Sequence, residues 1–198
     1  MSADPPSIDG LHFQHYTAAE ARAVRDQVEQ IFRDSYTDAI ESGEDFEAPE
    51  AFMHRFDTYT DPSRGQGFEL VIARIGDEPV GQAWGWPLGP DTRWWSGFRL
   101  DTGNAAGFTD ENGSRTFALS ELMVRREFTG RGIAHQLHDL LLRNRSETRA
   151  TLLVRPENNR AYATYLRWGW KRAGKLRPEW PSAPHFDVLI YEPLRRGR

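Results

Sequence analysis

A glycine-rich turn between an apolar segment and an amphipathic one is the stretch best suited to hold a ligand. Residues 117–124 are apolar and partly β-branched, which predicts a buried strand. From Ile133 onward, apolar residues recur at helical spacing. The turn between them, residues 129–134, contains Gly130 and Gly132. Small residues admit a ligand close to the backbone, and free N–H groups at a helix start favour negative charge. The turn therefore predicts an anion site, with a pyrophosphate as the expected occupant.

One carboxylate, Glu121, interrupts the apolar strand. A charged residue inside such a strand is out of keeping with burial. Partial desolvation would raise its pKa toward neutrality, where a carboxylate serves as a general base. Strand alternation puts it on the face of Leu119 and Met123, opposite Leu122 and Val124. Two interpretations stay open: a general base, or a structural carboxylate paired with an arginine.

The glycine turn and a later block together resemble one protein superfamily. The turn is similar to the acyl-CoA-binding signature Gln/Arg-x-x-Gly-x-Gly/Ala of the GCN5-related N-acetyltransferase (GNAT) superfamily. It falls on Thr129, Gly132 and Ala134, with Thr129 in place of the usual Gln or Arg. The segment from Asn158 to Trp170 resembles the superfamily's later block, Asn-x-x-Ala-x-x-x-Tyr-x-x-x-Gly-Phe, with Trp170 in place of Phe. The two blocks occur in the expected order and cover roughly residues 116–172.

The resemblance implies acetyl-CoA, or another acyl-CoA, as co-substrate. No metal is expected, because the chain has no cysteine and its paired histidines have no apparent third ligand. In that superfamily the strand before the turn splays from the next strand, and the acyl-pantetheine arm pairs with the exposed backbone. Arg125, Arg131 and Arg160 could balance phosphate charge or could simply be solvated. The backbone of residues 122–124 would contact the arm, the turn would hold the pyrophosphate, and Asn158 would bond the arm or a water. The expected acyl-CoA-binding residues are Leu122, Met123, Val124, Thr129, Gly130, Arg131, Gly132, Ile133, Ala134 and Asn158.

Acyl transfer to an amine needs a base for the ammonium, stabilisation of an oxyanion, and an acid for the departing thiolate. Tyr165 is the expected acid, because it shares a helical face with Asn158 and Ala161. Its reference pKa of about 10 is close to that of an alkyl thiol, so the proton transfer is nearly balanced. Tyr165 could instead pack in the core with its hydroxyl bonded elsewhere. Glu121 is the expected base, although a water relay to other acids would need no single base.

These residues predict an acyl-CoA-dependent N-acyltransferase, with acetyl as the expected acyl group. The absence of cysteine favours direct attack in a ternary complex over a thiol-linked acyl-enzyme. The expected acceptor is a primary amine on a small molecule, such as an aminoglycoside or a polyamine. Two alternatives remain: a peptide or protein N-acetyltransferase, and a non-catalytic acyl-CoA-binding or regulatory module.

The composition bounds the class of protein. A chain of 198 residues with 38% hydrophobic content is long enough for one well-cored globular domain. A formal net charge of -4 argues against a nucleic-acid partner. No apolar run approaches the roughly 20 residues of a membrane span, and the first ten residues carry no export signal. We therefore expect a cytoplasmic protein without a membrane partner, and a homodimer is possible.

The predicted elements must position these side chains. Residues 1–10 predict a flexible tail and residues 11–194 a single N-acetyltransferase domain. The predicted order is β–α–α–β–β–β–α–β–α–β–β. This order and the resemblance both indicate an α/β (α+β) fold, with a mixed, mostly antiparallel sheet and helices on both faces. Local signals include a capping box at Thr17 and Glu20, and a helix start at Pro49.

Two further groups of residues are weighed as sites. In the long segment 87–114, Trp94 and Trp95 could form an aromatic, acidic pocket for a cationic amine, although loop solvation explains the acids equally well. The acids concerned are Asp91, Asp101, Asp110 and Glu111. His135 and His138 lie three residues apart without an apparent third ligand, which favours surface positions over a metal site.

Overall fold

A computed structural model describes residues 8–64, 66–103, 106–179 and 183–192. The strands are β1 (Leu11–Thr17), β2 (Glu69–Ile75), β3 (Glu78–Pro87), β4 (Phe98–Leu100), β5 (Thr116–Val124), β6 (Arg149–Val154), β7 (Lys171–Leu176) and β8 (Phe186–Tyr191). The helices are α1 (Ala18–Ala23), α2 (Arg25–Ser35), α3 (Thr37–Glu41), α4 (Pro49–Tyr59), α5 (Ile133–Leu142) and α6 (Asn159–Arg167). Short 3-10 turns occur at Asp45–Glu47 and Arg126–Phe128. None of the helices in these residues has the length and hydropathy needed to cross a membrane.

The chain divides into two compact units, which are described separately. Unit 1 comprises the residues up to Trp86 together with Glu121–Arg143, and unit 2 comprises Pro87–Ser120 and the residues from Asn144 onward. In unit 1 the strand order is β1, β2, β3 and the second half of β5. In unit 2 it is the first half of β5, then β6, β8, β7 and β4.

Antiparallel pairing predominates in both units. Strand β2 pairs antiparallel with β1 and β3, and β8 pairs antiparallel with β6 and β7. The pair β5 and β6 is parallel. The predicted mixed, mostly antiparallel sheet with helices is therefore confirmed. Residues 1–7 of the predicted tail and residues 193–194 at the end of the predicted domain lie outside the described residues, so these boundaries stay predictions.

Local signals locate the starts of α1 and α4 correctly. The capping box is formed: the Thr17 backbone N–H donates to the Glu20 carboxylate at 2.8 Å, and the Thr17 hydroxyl oxygen accepts from the Glu20 N–H at 3.5 Å. Pro49 occupies the first turn of α4, where its missing N–H removes no helical hydrogen bond. The predicted single helix after Thr17 is instead divided at Val24, whose φ of -109° and ψ of 19° are not helical.

An aromatic core fixes α2 and α4 against β3 in unit 1. Trp84 of β3 is fully buried, and the rings of Phe52 and Phe56 meet it edge-on at 6.1 and 5.9 Å. Phe32 of α2 stacks on Phe52 with ring centres 4.0 Å apart. Each such ring buries a large apolar area and contributes about 2–3 kcal/mol. Trp84 is therefore a core residue.

The prediction missed the shortest elements. Residues 37–48, whose acidic and polar composition predicts a loop, contain α3 and the 3-10 turn Asp45–Glu47, and the long segment after Trp86 contains β4. Strand β4 is ordered by pairing with β7, Phe98 opposite Leu176. Elements of three to five residues are too short to show a hydrophobic period, so only their tertiary partners reveal them.

A buried ionic network holds the long segment of unit 2 and bears on one of its interpretations. The Glu111 side chain is fully buried, and its Oε1 accepts from Trp95 Nε1 at 3.1 Å, Thr116 Oγ1 at 2.7 Å and Arg149 Nη2 at 3.2 Å. Arg149 also donates to the carbonyl oxygen of Phe108 at 2.6 Å. The structure does not support the acceptor pocket for Trp95 and Glu111, because Trp95 Nε1 binds the Glu111 carboxylate and that carboxylate binds a buried arginine from β6.

Candidate active site

The predicted anion site is a loop that leads from β5 into α5 in unit 1. Gly130 and Gly132 have φ angles of 79° and 81°, in the left-handed region that costs other residues about 1–2 kcal/mol. Gly132 is the N-cap of α5, and no side chain of the described residues caps this helix. Within the described chain, the N–H groups of the first turn, including those of Ile133 and Ala134, thus have no side-chain cap at the positive end of the helix dipole. This arrangement suits a phosphate oxygen.

Thr129 and Arg131 shape the same loop. The Thr129 hydroxyl donates to the Arg126 carbonyl oxygen at 2.9 Å, and the Thr129 N–H donates to the same oxygen at 3.2 Å. Thr129 therefore closes the 3-10 turn, a use that does not need the longer Gln or Arg of the signature. Exposed Arg131 donates to the Glu127 carbonyl oxygen at 3.1 Å, and its guanidinium lies 5.3 Å from the Phe128 ring centre. Its charge is thereby held beside the turn.

Arg125 has a structural role in unit 1. Its guanidinium nitrogens lie 2.6 Å from both Glu78 and Glu127, and 3.1 Å from Asp34. The side chain is only 16% exposed. Three carboxylates neutralise this arginine, so of the arginines weighed as phosphate ligands it fits that role least.

Glu121 combines burial with an incompletely satisfied carboxylate. Its side chain is 15% exposed, and the nearest cation in the described chain, Arg55 Nη2, is 3.8 Å from its Oε1. That distance is too long for a hydrogen bond. The pKa of Glu121 is raised to about 7: burial is the largest cause, Arg55 opposes the rise, and the Glu47 carboxylate adds to it. A carboxylate with this pKa exchanges a proton readily near neutral pH, as a general base must.

The neighbours of Glu121 are functional candidates that the sequence analysis missed. Arg55 and Tyr59 come from α4, and Glu47 comes from the turn that precedes this helix. Burial raises the pKa of Tyr59, whose ring stacks on Trp86 with centres 3.5 Å apart. A polar residue at position 55 within the apolar face of a helix is the only sequence signal, and it does not say which carboxylate the arginine meets.

The backbone predicted to contact the pantetheine arm lies beside β3. Met123 is 4% exposed and belongs to the aromatic core of unit 1, while Leu122 and Val124 are half-buried. A Cβ on Gly81 of β3 would lie 3.0 Å from the Met123 carbonyl oxygen and 3.1 Å from Val124 Cγ2. Glycine at this position therefore permits the close approach of β3 to β5.

The pairing of β5 with β6 in unit 2 is short. Their parallel register joins residues 116–118 to residues 149–151. Strand β6 continues to Val154 and pairs antiparallel with β8 over residues 150–154. The described β5–β6 register thus ends before β6 does.

Helix α6 carries the two candidates of unit 2. Asn158 is its N-cap, and the side-chain oxygen accepts from the Ala161 N–H at 3.2 Å. Its amide NH2 group can still donate to a ligand. Tyr165 is half-buried, and its ring meets Trp168 and Trp170 edge-on at 5.8 and 6.0 Å. The aromatic contacts fix the ring of Tyr165 without burying it fully.

The other tyrosine of this helix is structural. The Tyr162 hydroxyl donates to the Asp187 carboxylate of β8 at 3.0 Å, and Arg172 donates to the same carboxylate at 2.8 Å. Burial and the bond to Asp187 raise the pKa of Tyr162. A phenol engaged in this way is a poor proton donor, which leaves Tyr165 as the acid candidate on α6.

The predicted site residues thus fall into two groups. Unit 1 contains Glu121, the backbone of residues 122–124 and the loop at residues 129–134. Unit 2 contains Asn158 and Tyr165 on one helix.

A histidine pair on α5 differs from the prediction. His138 is 2% exposed, so the expected surface position is wrong for this residue. Asp139 is the third group that the spacing did not reveal: its carboxylate is 2.8 Å from His138 Nδ1 and 3.6 Å from His135 Nε2. Their possible ligand atoms all lie within 4.8 Å of one another. The absence of a metal stays a prediction.

Comparison with known proteins identifies a family and a fold. The model of the acetyltransferase (GNAT) family matches residues 25–170. No curated protein matches the sequence.

Solved structures of similar fold include several acetyltransferases. One from Thermus thermophilus is 17% identical, with a TM-score of 0.58, and the match covers 92% of this chain and 96% of that chain. One from Streptococcus agalactiae 2603 is 15% identical, with a TM-score of 0.60 and coverage of 93% and 99%. PaiA N-acetyltransferase from Thermoplasma acidophilum, in complex with coenzyme A, is 10% identical, with a TM-score of 0.51 and coverage of 92% and 98%. At these identities the likeness establishes the fold.

Proposed function

Because the chain belongs to the GNAT acetyltransferase family, we propose that it transfers the acetyl group of acetyl-CoA to a primary amine by direct attack. The observation that carries the proposal is the construction of β5 in unit 1. One strand carries a carboxylate with a pKa of about 7 and runs into a loop whose helix start has no side-chain cap. Base and anion site are thus parts of one continuous segment.

In the proposed complex, the loop at residues 129–134 binds the pyrophosphate of acetyl-CoA through backbone N–H groups. The backbone of residues 122–124 pairs with the pantetheine arm, and the amide of Asn158 donates to the arm or to an ordered water. A fold neighbour, PaiA N-acetyltransferase, is known in complex with coenzyme A, which supports the choice of ligand.

In the proposed reaction, Glu121 takes a proton from the acceptor ammonium, directly or through water. The free amine attacks the thioester carbonyl, the C–N bond forms, the C–S bond breaks, and the nitrogen loses its second proton to solvent. The Tyr165 hydroxyl gives its proton to the departing CoA thiolate. The products are the acetylated amine and free CoA. Glu121 returns its proton to solvent, and Tyr165 regains one.

We propose a small cationic amine as acceptor, such as a polyamine or an aminoglycoside. Glu121 and Glu47 place negative charge in this part of unit 1, and the stacked rings of Tyr59 and Trp86 offer an aromatic surface to a cation. A peptide N-terminus is the other acceptor that the chemistry allows. The cytoplasmic location and the possible homodimer stay predictions.

The proposal is tested by measuring free CoA released from acetyl-CoA across a panel of polyamines, aminoglycosides and peptides with free N-termini. We expect release with a small amine. Glu121→Gln and Tyr165→Phe should each lower kcat by about 100-fold or more while CoA binding persists. Tyr162→Phe, on the same helix, is the matched control for Tyr165→Phe and should retain turnover.

The outcomes separate the alternatives. Release only with peptides would replace the acceptor class and keep the enzyme. CoA binding without release for any acceptor, with acetyl-CoA and with longer acyl-CoAs, would instead indicate a non-catalytic acyl-CoA-binding module.

A further inference from the structure

Two charged side chains from other stretches of unit 1 act on Glu121: Arg55, 3.8 Å away, and Glu47, through its charge. Glu47 ends the 3-10 turn Asp45–Glu47 and is only 9% exposed. Arg55 lies on α4, and Glu121 lies on β5. The proposed reaction uses Glu121 alone, so the two other charges require a separate explanation.

The segment that carries Glu47 also holds Arg55 in place. Arg55 Nη1 donates to the Phe46 carbonyl oxygen at 3.1 Å, and the guanidinium carbon lies 4.4 Å from the centre of the Phe46 ring. Phe46 and Glu47 are adjacent in one turn, so the turn sets the position of both charges relative to α4. Arg55 Nε is buried without a hydrogen-bond partner among the described residues, so hydrogen bonds do not saturate this guanidinium.

The two charges act on Glu121 in opposite directions. Arg55, at 3.8 Å, favours the ionised carboxylate, whereas Glu47 disfavours it. Tyr59 also faces Glu121 from α4, and its raised pKa keeps it neutral near pH 7. The described charged groups that act on Glu121 are therefore one cation and one anion, and burial is the larger effect.

We propose that Glu47 and Arg55 are positioning residues that control the protonation of Glu121. Glu47 favours the protonated form of Glu121, and Arg55 favours the ionised form. The inference rests on the proposed function, in which Glu121 accepts the proton of the amine. Neither residue needs to touch the reacting atoms. Their balance leaves Glu121 basic enough to take a proton and ionised often enough to be ready for it.

The test is a titration of Glu121 in the unliganded full chain by NMR of 13C-labelled glutamate side chains. Glu121→Gln identifies the signal by its loss. Glu47→Gln should move the midpoint of Glu121 down by about one pH unit, and Arg55→Met should move it up by about one. Arg55→Lys, which keeps the charge, should restore most of the wild-type midpoint.

Glu50→Gln is the matched control, because Glu50 is an exposed carboxylate in the first turn of α4. Its removal should leave the titration unchanged. An unmoved midpoint in Glu47→Gln, or an equal shift in Glu50→Gln, would overturn the proposal. Should Arg55→Met fail to fold, the shape-conserving Glu47→Gln decides the question alone.

Activity gives a second readout where turnover is present. With one acceptor in all variants, the acidic limb of kcat/KM should move in the same direction as the titration. A purely structural role for Glu47 would lower stability and leave this limb in place. Absence of acetyl transfer in the wild type would refute the proposed function alone, because the titration needs no substrate.

Discussion

Ionisation of Glu121 lowers the stability of the folded protein. In the unfolded chain its carboxyl group ionises with an ordinary glutamate pKa of 4.5, whereas in the folded protein burial is the main cause that raises this pKa to about 7. An acid with a raised folded pKa stabilises the fold below its unfolded pKa. This stabilisation is lost as the pH rises from about 4.5 to about 7. Such a cost at one residue is typical of sites that serve chemistry before stability.

This linkage predicts the effect of Glu121→Gln on stability. The neutral amide has nearly the same shape and cannot ionise, so the variant keeps the stability that the wild type loses above pH 5. The free energy of unfolding of the variant, relative to wild type, should be about 2 kcal/mol more favourable at pH 8 than at pH 5. Urea denaturation at the two pH values measures the difference. Glu50→Gln, at an exposed site, should show none; an equal response in both variants would contradict the assignment.

Asn158 has two separable uses, which a pair of substitutions distinguishes. Asn158→Ala removes the cap of α6 and should lower the free energy of unfolding by about 1 kcal/mol. Asn158→Asp keeps an acceptor for the Ala161 N–H and lacks the amide donor, so stability should persist while CoA affinity falls. Thermal denaturation and calorimetric titration with CoA measure the two effects. Wild-type CoA affinity in Asn158→Asp would show that the residue is a helix cap alone.

At the scale of elements, the β5–α5 loop depends on backbone conformation rather than on space. A Cβ on Gly130 would meet no heavy atom within 4 Å, so its φ of 79° is the reason for glycine. Gly113 offers a matched control in unit 2, with a φ of 82° and equally open surroundings.

We predict that Gly130→Ala and Gly113→Ala lower stability similarly, by about 1 kcal/mol each, because both force alanine into the left-handed region. Gly130→Ala alone should weaken CoA binding roughly tenfold, because the strained loop no longer directs its N–H groups at the phosphate. A tenfold loss of affinity corresponds to about 1.4 kcal/mol of binding free energy. Calorimetric titration with CoA gives the comparison. Equal CoA affinity in the two variants would argue against the loop as the pyrophosphate site.

The Glu111–Arg149 network predicts a strong stability effect in unit 2. Arg149→Met leaves Glu111 as a buried charge without its cation, and should lower the free energy of unfolding by about 3–5 kcal/mol. Adding Glu111→Gln to this variant should recover part of the loss, because the uncompensated charge is gone. Urea denaturation of the two single variants and the double variant measures the coupling. Strictly additive losses would show that the pair does not act as a buried ion pair.

For the whole molecule, the lack of cysteine excludes a thiol-linked acetyl-enzyme anywhere in the 198 residues. Initial rates at varied acetyl-CoA and amine concentrations should therefore give intersecting lines in double-reciprocal plots, as a ternary complex requires. N-ethylmaleimide should leave turnover unchanged. Parallel lines, or acetyl groups retained on the protein without an acceptor, would contradict direct attack.

Features that depend on neighbours in the chain followed from the sequence. Gly130 and Gly132 predict a turn because few other residues accept a positive φ, and the turn formed at the predicted place. The capping box at Thr17 and the helix after Asn158 are local in the same sense. The carboxylate of Glu121 within an apolar strand was recognisable from alternation alone. The family resemblance rests on two local patterns, the glycine turn and the segment that begins at Asn158.

Only the tertiary structure decided how side chains from distant segments combine. Nothing local links Glu47 and Arg55 to Glu121, or Glu111 to Arg149, because side-chain pairing across the fold leaves no periodic trace in the chain. For this reason the sequence left the role of Trp95 open between a pocket and a solvated loop, and did not reveal its bond to Glu111. Hydrogen bonds and hydrophobic period act over a few residues, whereas burial and charge act through space. The local sequence thus determines the type of site, and tertiary packing determines the protonation of its base.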